Sequence, residues 1–234
     1  MNELNHLHPI VTVDVVLLTL IDGKLCTALV LRDKEPCAGQ WTLPGGWVHT
    51  DEDEDALCSA ERILKNKAGL DSPYLEQLQT FANRYRDSRG WSVSIAYYAL
   101  IPFQSIEHIE HIEHDHLKWR AVDEIRALPF DHLQILKTAI ARLRSKTLYS
   151  SLPVHLMGET FTLPELQRVY EQVLGTELDK RTFRRRIEEL DIVQPASGKT
   201  TSKASHRPAQ RYRLKPNARL ATFDKNVTAN TDLP

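Results

Sequence analysis

Residues 180–190 read KRTFRRRIEEL, and that pattern admits few local structures. Phe183, Ile187 and Leu190 recur at i, i+4 and i+7, so they fall on one face of a helix. At 100° per residue, Arg181 and Arg185 lead the opposite face, with Thr182 and Arg184 beside them. With Lys180 and Arg186 the segment holds five cations. It predicts a short helix that buries an apolar side and shows water a basic one. Such a helix suits the groove of a DNA duplex, although a solvated basic face is the plainer alternative.

The flanks favour the first reading. Thr162 and Glu165 have capping-box spacing, and Pro164 is tolerated in a first turn. Leu166, Val169, Tyr170, Val173 and Leu174 then form an apolar stripe, so 161–174 reads as a helix. After the basic helix, Asp191–Val193 reads as a short strand and Arg211–Leu214 as its return. Residues 195–210 between them are small, polar and basic. Helix, turn, basic helix and hairpin make a winged helix-turn-helix over 153–215, with Ser150–Pro153 as the join. Lys180, Arg181, Thr182, Arg184 and Arg185 are the candidates for a groove, in which arginine forks onto guanine edges or binds phosphate. Lys199, Thr200, Lys203 and Arg207 of the wing are candidates for phosphates or the minor groove. Residues 216–234 are expected to be a loose tail.

The net charge of −1 hides an asymmetry: residues 153–234 balance to +4 and residues 1–152 to −5. Opposed halves imply two domains with different partners. Cys26, Cys37 and Cys58 lack CxxC spacing and read as reduced thiols. No apolar run approaches the roughly 18 residues of a membrane span, and MNELNHLHPI is not a leader. The chain is expected to be cytoplasmic.

In residues 1–150, Ile10–Ile21 reads as a buried strand, Asp22-Gly23 as a tight turn and Leu25–Leu31 as the return. Thr50 or Asp51 is placed to cap a helix running to Ala68, with Gly69 as its stop. Val93–Ile101 is another strand. Residues 131–147 form an amphipathic linker helix with Ile135, Leu136, Ile140 and Leu143 inward. Ile-Glu-His occurs three times between Ile106 and His114. It reads as a biased tract rather than a metal site, because a three-residue period gathers the histidines on no strand face. His132 reads as a structural histidine or a hinge group near ligand. Trp41 reads as core or as a base-stacking platform.

Residues 41–70, WTLPGGWVHTDEDEDALCSAERILKNKAGL, resemble the Nudix box of pyrophosphate hydrolases, G-x5-E-x7-R-E-U-x-E-E-x-G-U. Gly46, Glu52 and Gly69-Leu70 match, but the chain is two residues longer between them. Counted forward, the glutamate pair falls on Leu64 and Lys65. Counted back from Gly69, it falls on Asn66 and Lys67, with Arg62 on the arginine and Ile63 on the next glutamate. In the family those carboxylates hold the magnesium that neutralises the diphosphate, and a lysine there cannot. The resemblance implies an α/β/α sandwich with a mixed sheet. It argues against hydrolysis, so no catalytic residue and no metal ligand is assigned. Glu52 to Asp55 and Glu61 leave open an unusual metal site, against the plainer reading of a solvated helix start.

Asn83–Tyr98 resembles Nudix branches that handle ADP-ribose, with Arg84, Arg86 and Arg89 as phosphate clamps or simply a basic turn. With Phe130-Asp131-His132, TLPELQRVYEQVLG and RTFRRRI, nearly the whole chain resembles the Nudix-related transcriptional regulators of NAD metabolism. The resemblance implies a homodimeric repressor of NAD biosynthesis or salvage genes, bound to double-stranded DNA operators and governed by an ADP-ribose-like nucleotide. The effector pocket would involve Trp41, Gly45, Gly46, Arg62, Arg84, Arg86 and Arg89, with no other cofactor. The alternative is an active hydrolase of ADP-ribose with an appended DNA-binding domain.

Overall fold

The computed structural model describes residues 8–72, 74–106, 116–199, 209–216, 218 and 220–223. They divide into two compact units. One is drawn from Met1–Leu18, Cys26–Leu100 and Glu110–Ala139, the other from Thr19–Leu25, Ile101–Ile109 and Ile140–Pro234. By packing, the division falls inside the linker helix, between Ala139 and Ile140.

Strand β1 is Ile10–Ile21 and β2 is Lys24–Leu31. The turn between them holds Asp22 at φ 48° and Gly23 at φ 77°, the paired positive values a two-residue hairpin demands. Short strands β3 (Trp41–Thr42) and β4 (Gly45–Trp47) precede helix α1 (Ala56–Ala68). Strands β5 (Tyr74–Asn83), β6 (Ser92–Leu100) and β7 (Leu117–Ala121) follow, and then helix α2 (His132–Tyr149). The sheet is mixed, in the order β3-β2-β1-β6-β5, with β4 paired to β1 and β7 to β2. β1 and β6 are parallel from Ile10↔Ser92 to Leu18↔Leu100. Val13, Val15, Val16, Leu17 and Leu18 have no exposed surface. β1 is covered on both faces, which is why it reads as a continuous apolar run rather than an alternation.

Helix α1 begins later than Thr50 or Asp51. Asp55 is its cap and accepts from the Cys58 N–H at 2.8 Å. Asp53 is unavailable to cap, because its carboxylate holds His49, Ser59 and Arg62. The stop at Gly69 is left-handed, φ 68°, as expected.

The second unit contains α3 (Leu163–Leu174), α4 (Lys180–Glu189) and a hairpin of β8 (Val193–Lys199) and β9 (Gln210–Leu214). The capping box between Thr162 and Glu165 is formed. β8 outruns the expected Asp191–Val193 strand. Phe161, Leu166, Tyr170, Phe183 and Ile187 form the core, with the Tyr170 and Phe183 rings edge-on at 5.1 Å. Tyr170 donates its hydroxyl proton to the Ser150 carbonyl at 2.9 Å. The expected loose tail is fastened in part. The Phe223 N–H reaches the Tyr149 carbonyl at 2.7 Å, and the Ser151 N–H the Ala221 carbonyl at 2.8 Å. Thr200, Lys203 and Arg207 of the wing, the side chain of Lys199, and most of the Ile-Glu-His tract lie outside the described residues. No helix among the described residues is long and apolar enough to cross a membrane.

Phe183→Ala should destabilise the second unit by about 3–5 kcal/mol, the usual loss for a buried aromatic. Urea unfolding followed by fluorescence of full-length protein should show that loss in one transition.

Candidate functional site

A cleft of about 420 Å³ opens above β1 and β4. Asp14 is its floor. The β1–β4 register sets Asp14 against Gly45 and Val13 against Gly46. A Cβ on Gly45 would lie 2.0 Å from Asp14 Oδ1, so only glycine lets the carboxylate approach this strand. Gly46 is under no such demand: a Cβ there would make ordinary contact with Ile63 at 3.4 Å.

Asp14 is buried and fully engaged. Ser94 Oγ donates to its Oδ2 at 2.6 Å and Arg86 Nη2 at 3.3 Å, while His132 Nε2 faces Oδ1 at 3.4 Å. Burial pushes this carboxyl up, yet His132, Ser94 and Arg86 together hold it below the usual range. His132 Nδ1 accepts the Leu43 N–H at 3.1 Å, which leaves the ring proton on Nε2, toward Asp14. That bond ties the first residue of α2 to the loop that carries Gly45 and Gly46. His132 is thus a structural histidine and a cleft residue at once.

Arg86 lines the cleft but is buried. Its Nε and Nη2 fork onto the two oxygens of Asp131, at 3.0 and 3.1 Å, and Nη1 donates to Ser92 Oγ at 3.2 Å. Carboxylates already hold this guanidinium, so to clamp a phosphate it would have to give them up. Arg89 lines the cleft as well, paired to Asp87 at 2.6 Å and lying over the Trp47 ring at 5.6 Å. Asp87 lies below the usual range, since Arg89 and Arg86 outweigh its burial.

Three other expected effector residues are not among those lining this cleft. Trp41 alternates with Thr42 on β3, so Thr42 faces the cleft and Trp41 faces a separate open hollow, its ring 3.9 Å from Lys118 Nζ. Arg84 is exposed and lies over Tyr85 at 5.7 Å. Arg62 forks onto Asp53 and donates to the Trp47 carbonyl at 3.0 Å, bracing the loop. The structure adds Arg32 and Trp47, which no sequence signal assigns to the site, and Phe130, known from the sequence only as part of the Phe130-Asp131-His132 stretch. Phe130 holds φ 57°, rare for an aromatic residue and costing on the order of 1–3 kcal/mol. Arg32 lies over its ring at 5.2 Å, and the His132 ring is 5.2 Å away on the chain's other side of Asp131.

Gly69 ends α1, so the motif register counted back from it is the one the helix adopts. It places buried Ile63 and exposed Asn66 and Lys67 where the resemblance puts glutamates. Among the described residues no group of three or more His, Cys, Asp or Glu is arranged to hold a metal. An ammonium and an aliphatic chain cannot ligate a magnesium ion, and the neutral amide oxygen of Asn66 supplies none of the charge that a glutamate would.

In the second unit, Asp179 caps α4 by accepting from the Thr182 N–H at 2.8 Å. Phe183 and Ile187 are buried, and Arg186 with them. Lys180, Arg181, Arg184 and Arg185 are exposed and Thr182 half-buried, in the arrangement the periodicity requires. Arg185 Nε is 3.8 Å from Glu189 Oε1. Arg211 is anchored to Thr160 at 2.7–3.0 Å and serves the fold.

With these sites described, the chain can be compared with known proteins. Residues 8–143 match the NUDIX domain, and residues 153–214 the NrtR DNA-binding winged helix domain. The ADPR responsive transcriptional repressor NtrR of Acinetobacter baylyi is 42% identical over 232 residues, spanning 97% of this chain and 88% of that one. The crystal structure of Shewanella oneidensis NrtR complexed with a 27mer DNA superimposes with a TM-score of 0.86 at 40% identity, covering 92% of this chain and 98% of that one. The Nudix domain of the same Shewanella protein, complexed with ADP ribose, gives a TM-score of 0.54 at 36% identity, covering 61% and 94%.

Gly45→Ala should destabilise the first unit by about 1–3 kcal/mol, as overpacking does, while Gly46→Ala should cost less. Thermal unfolding of both variants tests the difference. Asp14, Asp53 and Asp87 all have folded values below 3.8. Depressed values mean their stabilisation is complete above the unfolded value and fades as pH falls through the lowered ones. Unfolding free energy should therefore be flat above about pH 5 and fall below about pH 4. In Asp14→Asn the fall should be shallower, as a urea series across pH would show.

Proposed function

The chain belongs to the Nudix family and, within it, to the NrtR-type regulators, and from that premise we propose how its two sites divide the work. It is a DNA-binding transcriptional repressor responsive to ADP-ribose, with the winged helix as reader and the Nudix cleft as sensor. The single observation that carries this reading is the outer face of α4, where Arg181, Arg184 and Arg185 are exposed on a capped helix whose other face is core.

The operators lie at genes of NAD biosynthesis or salvage. The protein acts in the cytoplasm as a homodimer, whose two-fold symmetry would demand two half-sites on the DNA. Lys180, Arg181, Thr182, Arg184 and Arg185 meet the groove, and Lys199, Thr200, Lys203 and Arg207 meet phosphates. Gly45, Gly46, Arg86 and Arg89 meet the nucleotide, joined by Arg32 and Trp47 at the rim.

The cleft is proposed to sense rather than hydrolyse. The support is the donor chemistry of α1, with Ile63, Asn66 and Lys67 on the relevant turns, and Asp53 committed to Arg62. Within this chain, cations rather than a metal would balance the diphosphate. The residues of the cleft position and neutralise it, and among the described residues none is assigned to activate water.

DNA titrations by fluorescence anisotropy test the reading. ADP-ribose should weaken binding to operator DNA, and equal affinities with and without it would remove the sensor claim. Arg181→Ala/Arg185→Ala should lower affinity about tenfold or more. The slope of log K against log salt should shrink by about one for each phosphate that is no longer neutralised. With ADP-ribose and magnesium, product formation should stay far below the roughly 1–1000 per second of ordinary enzymes. AMP and ribose phosphate at enzyme rates would favour the hydrolase reading instead.

A further inference from the structure

The three arginines that line the cleft all hold partners already. Arg86 forks onto Asp131 and also reaches Ser92 and Asp14. Arg89 is paired to Asp87. Arg32 donates its Nε proton to the Pro36 carbonyl at 2.6 Å and lies over Phe130. A diphosphate entering beside Gly45 can obtain the Arg86 guanidinium only by exchange, because its Nε, Nη1 and Nη2 are all engaged.

One of these exchanges touches α2. The Asp131 carbonyl accepts the N–H groups of Gln134 and Ile135, at 2.9 and 3.1 Å, so Asp131 is the residue on which the helix starts. Its carboxylate is fixed by Arg86, and its neighbours on either side are strained Phe130 and tethered His132. Resting on the sensor reading above, we propose that the diphosphate of the effector displaces Asp131 from Arg86, and that this exchange releases the first turn of α2.

The chemistry favours the swap. Each phosphate of such a diphosphate accepts the same forked pair of N–H bonds as a carboxylate, and the two together bring two negative charges against the one of Asp131. Once unpaired, Asp131 faces both the incoming anion and the Asp14 carboxylate, and like charges drive it outward. Phe130, no longer held between a fixed Asp131 and its ring contacts, can leave φ 57°. α2 continues through Tyr149 into the unit that carries the winged helix, so a change at its start enters that unit along the chain. Ligand and Asp131 compete for one group. Weakening the hold of Asp131 must then raise effector affinity, and it must populate the released helix without effector.

Asp131→Asn in the full-length chain tests this. It keeps the size of the side chain and removes its charge. Calorimetric titration should show ADP-ribose binding about five- to hundredfold tighter than in wild type, the usual range of a coupling between sites. Operator DNA should bind correspondingly weaker with no ADP-ribose present, and added ADP-ribose should change it little. A residue with a merely structural role would lose affinity for both. In wild type, which does not depend on the variant folding, ADP-ribose should speed hydrogen exchange at the Gln134 and Ile135 amides. If wild-type DNA binding ignores ADP-ribose, the sensor reading fails before the exchange is reached. If wild type responds, two results each overturn the exchange: equal or weaker ADP-ribose binding by folded Asp131→Asn, or unchanged protection of those two amides.

Discussion

One buried carboxylate, Asp14, and one half-buried, Asp131, share one buried guanidinium in the first unit, and the local structure of the cleft follows from that arrangement. Asp14 comes from β1, Asp131 from the start of α2, and Arg86 from the turn between β5 and β6. Ser92 and Ser94 of β6 complete the hydrogen bonds. Charges out of water are tolerated only when paired and hydrogen-bonded, and deleting one member of such a set costs about 3–5 kcal/mol. The cluster explains why position 45 is glycine, why the Leu43 N–H meets a histidine, and why an aromatic residue is held at positive φ beside it. Asp14 and Arg86 also line the cleft. The cleft wall and the start of α2 therefore draw on one set of charges.

The second unit obeys a simpler constraint. Burying Phe183 and Ile187 is worth roughly 1.5–3 kcal/mol each, and that fixes the rotation of α4. Once the rotation is fixed, Arg181, Arg184 and Arg185 must point to water, and Arg186 must point inward. A basic surface is thus a consequence of core packing, which gives it the rigidity a groove requires. Asp179 at one end of the helix and the α3 capping box before it set where each helix begins.

This difference governs how much is legible in the sequence. Periodicity and caps are local, so β1, β2, the stop at Gly69, α3, α4 and the winged helix can be read directly. β5 cannot, because Glu76, Gln77, Gln79 and Thr80 give an edge strand little apolar signal. The cleft is half legible. Gly45 and Gly46 announce themselves, but the state of Arg86 depends on Asp14 and Asp131, 72 and 45 residues away. No spacing rule finds such partners. Sequence favours Trp41 over Trp47 because the parity of a two-residue strand is invisible there, and parity decides which face a side chain takes. The start of α1 is misplaced by sequence because several acidic residues compete for the cap, and only the fold shows that Asp53 belongs to Arg62.

That loop bears on the chemistry of the cleft. A helix anchored at Gly69 admits one register, and in it Ile63 packs against Gly46 where a carboxylate would otherwise meet the cleft. Glu52 to Asp55 lie upstream of the helix, on a loop of turns, Glu61 is exposed within the helix, and Arg62 draws Asp53 toward itself and away from a shared ion. Metal and guanidinium neutralise a diphosphate differently. A metal polarises the bridging oxygens and lowers the pKa of bound water, so it promotes attack as well as binding. A guanidinium offers a planar fork of N–H donors, which binds without generating a nucleophile. Arginines held by carboxylates suit the second task for a further reason. On the proposed exchange, Arg86 would pass from one anion to another of similar geometry, and an exchangeable partner is what would let binding at the cleft alter the start of a helix.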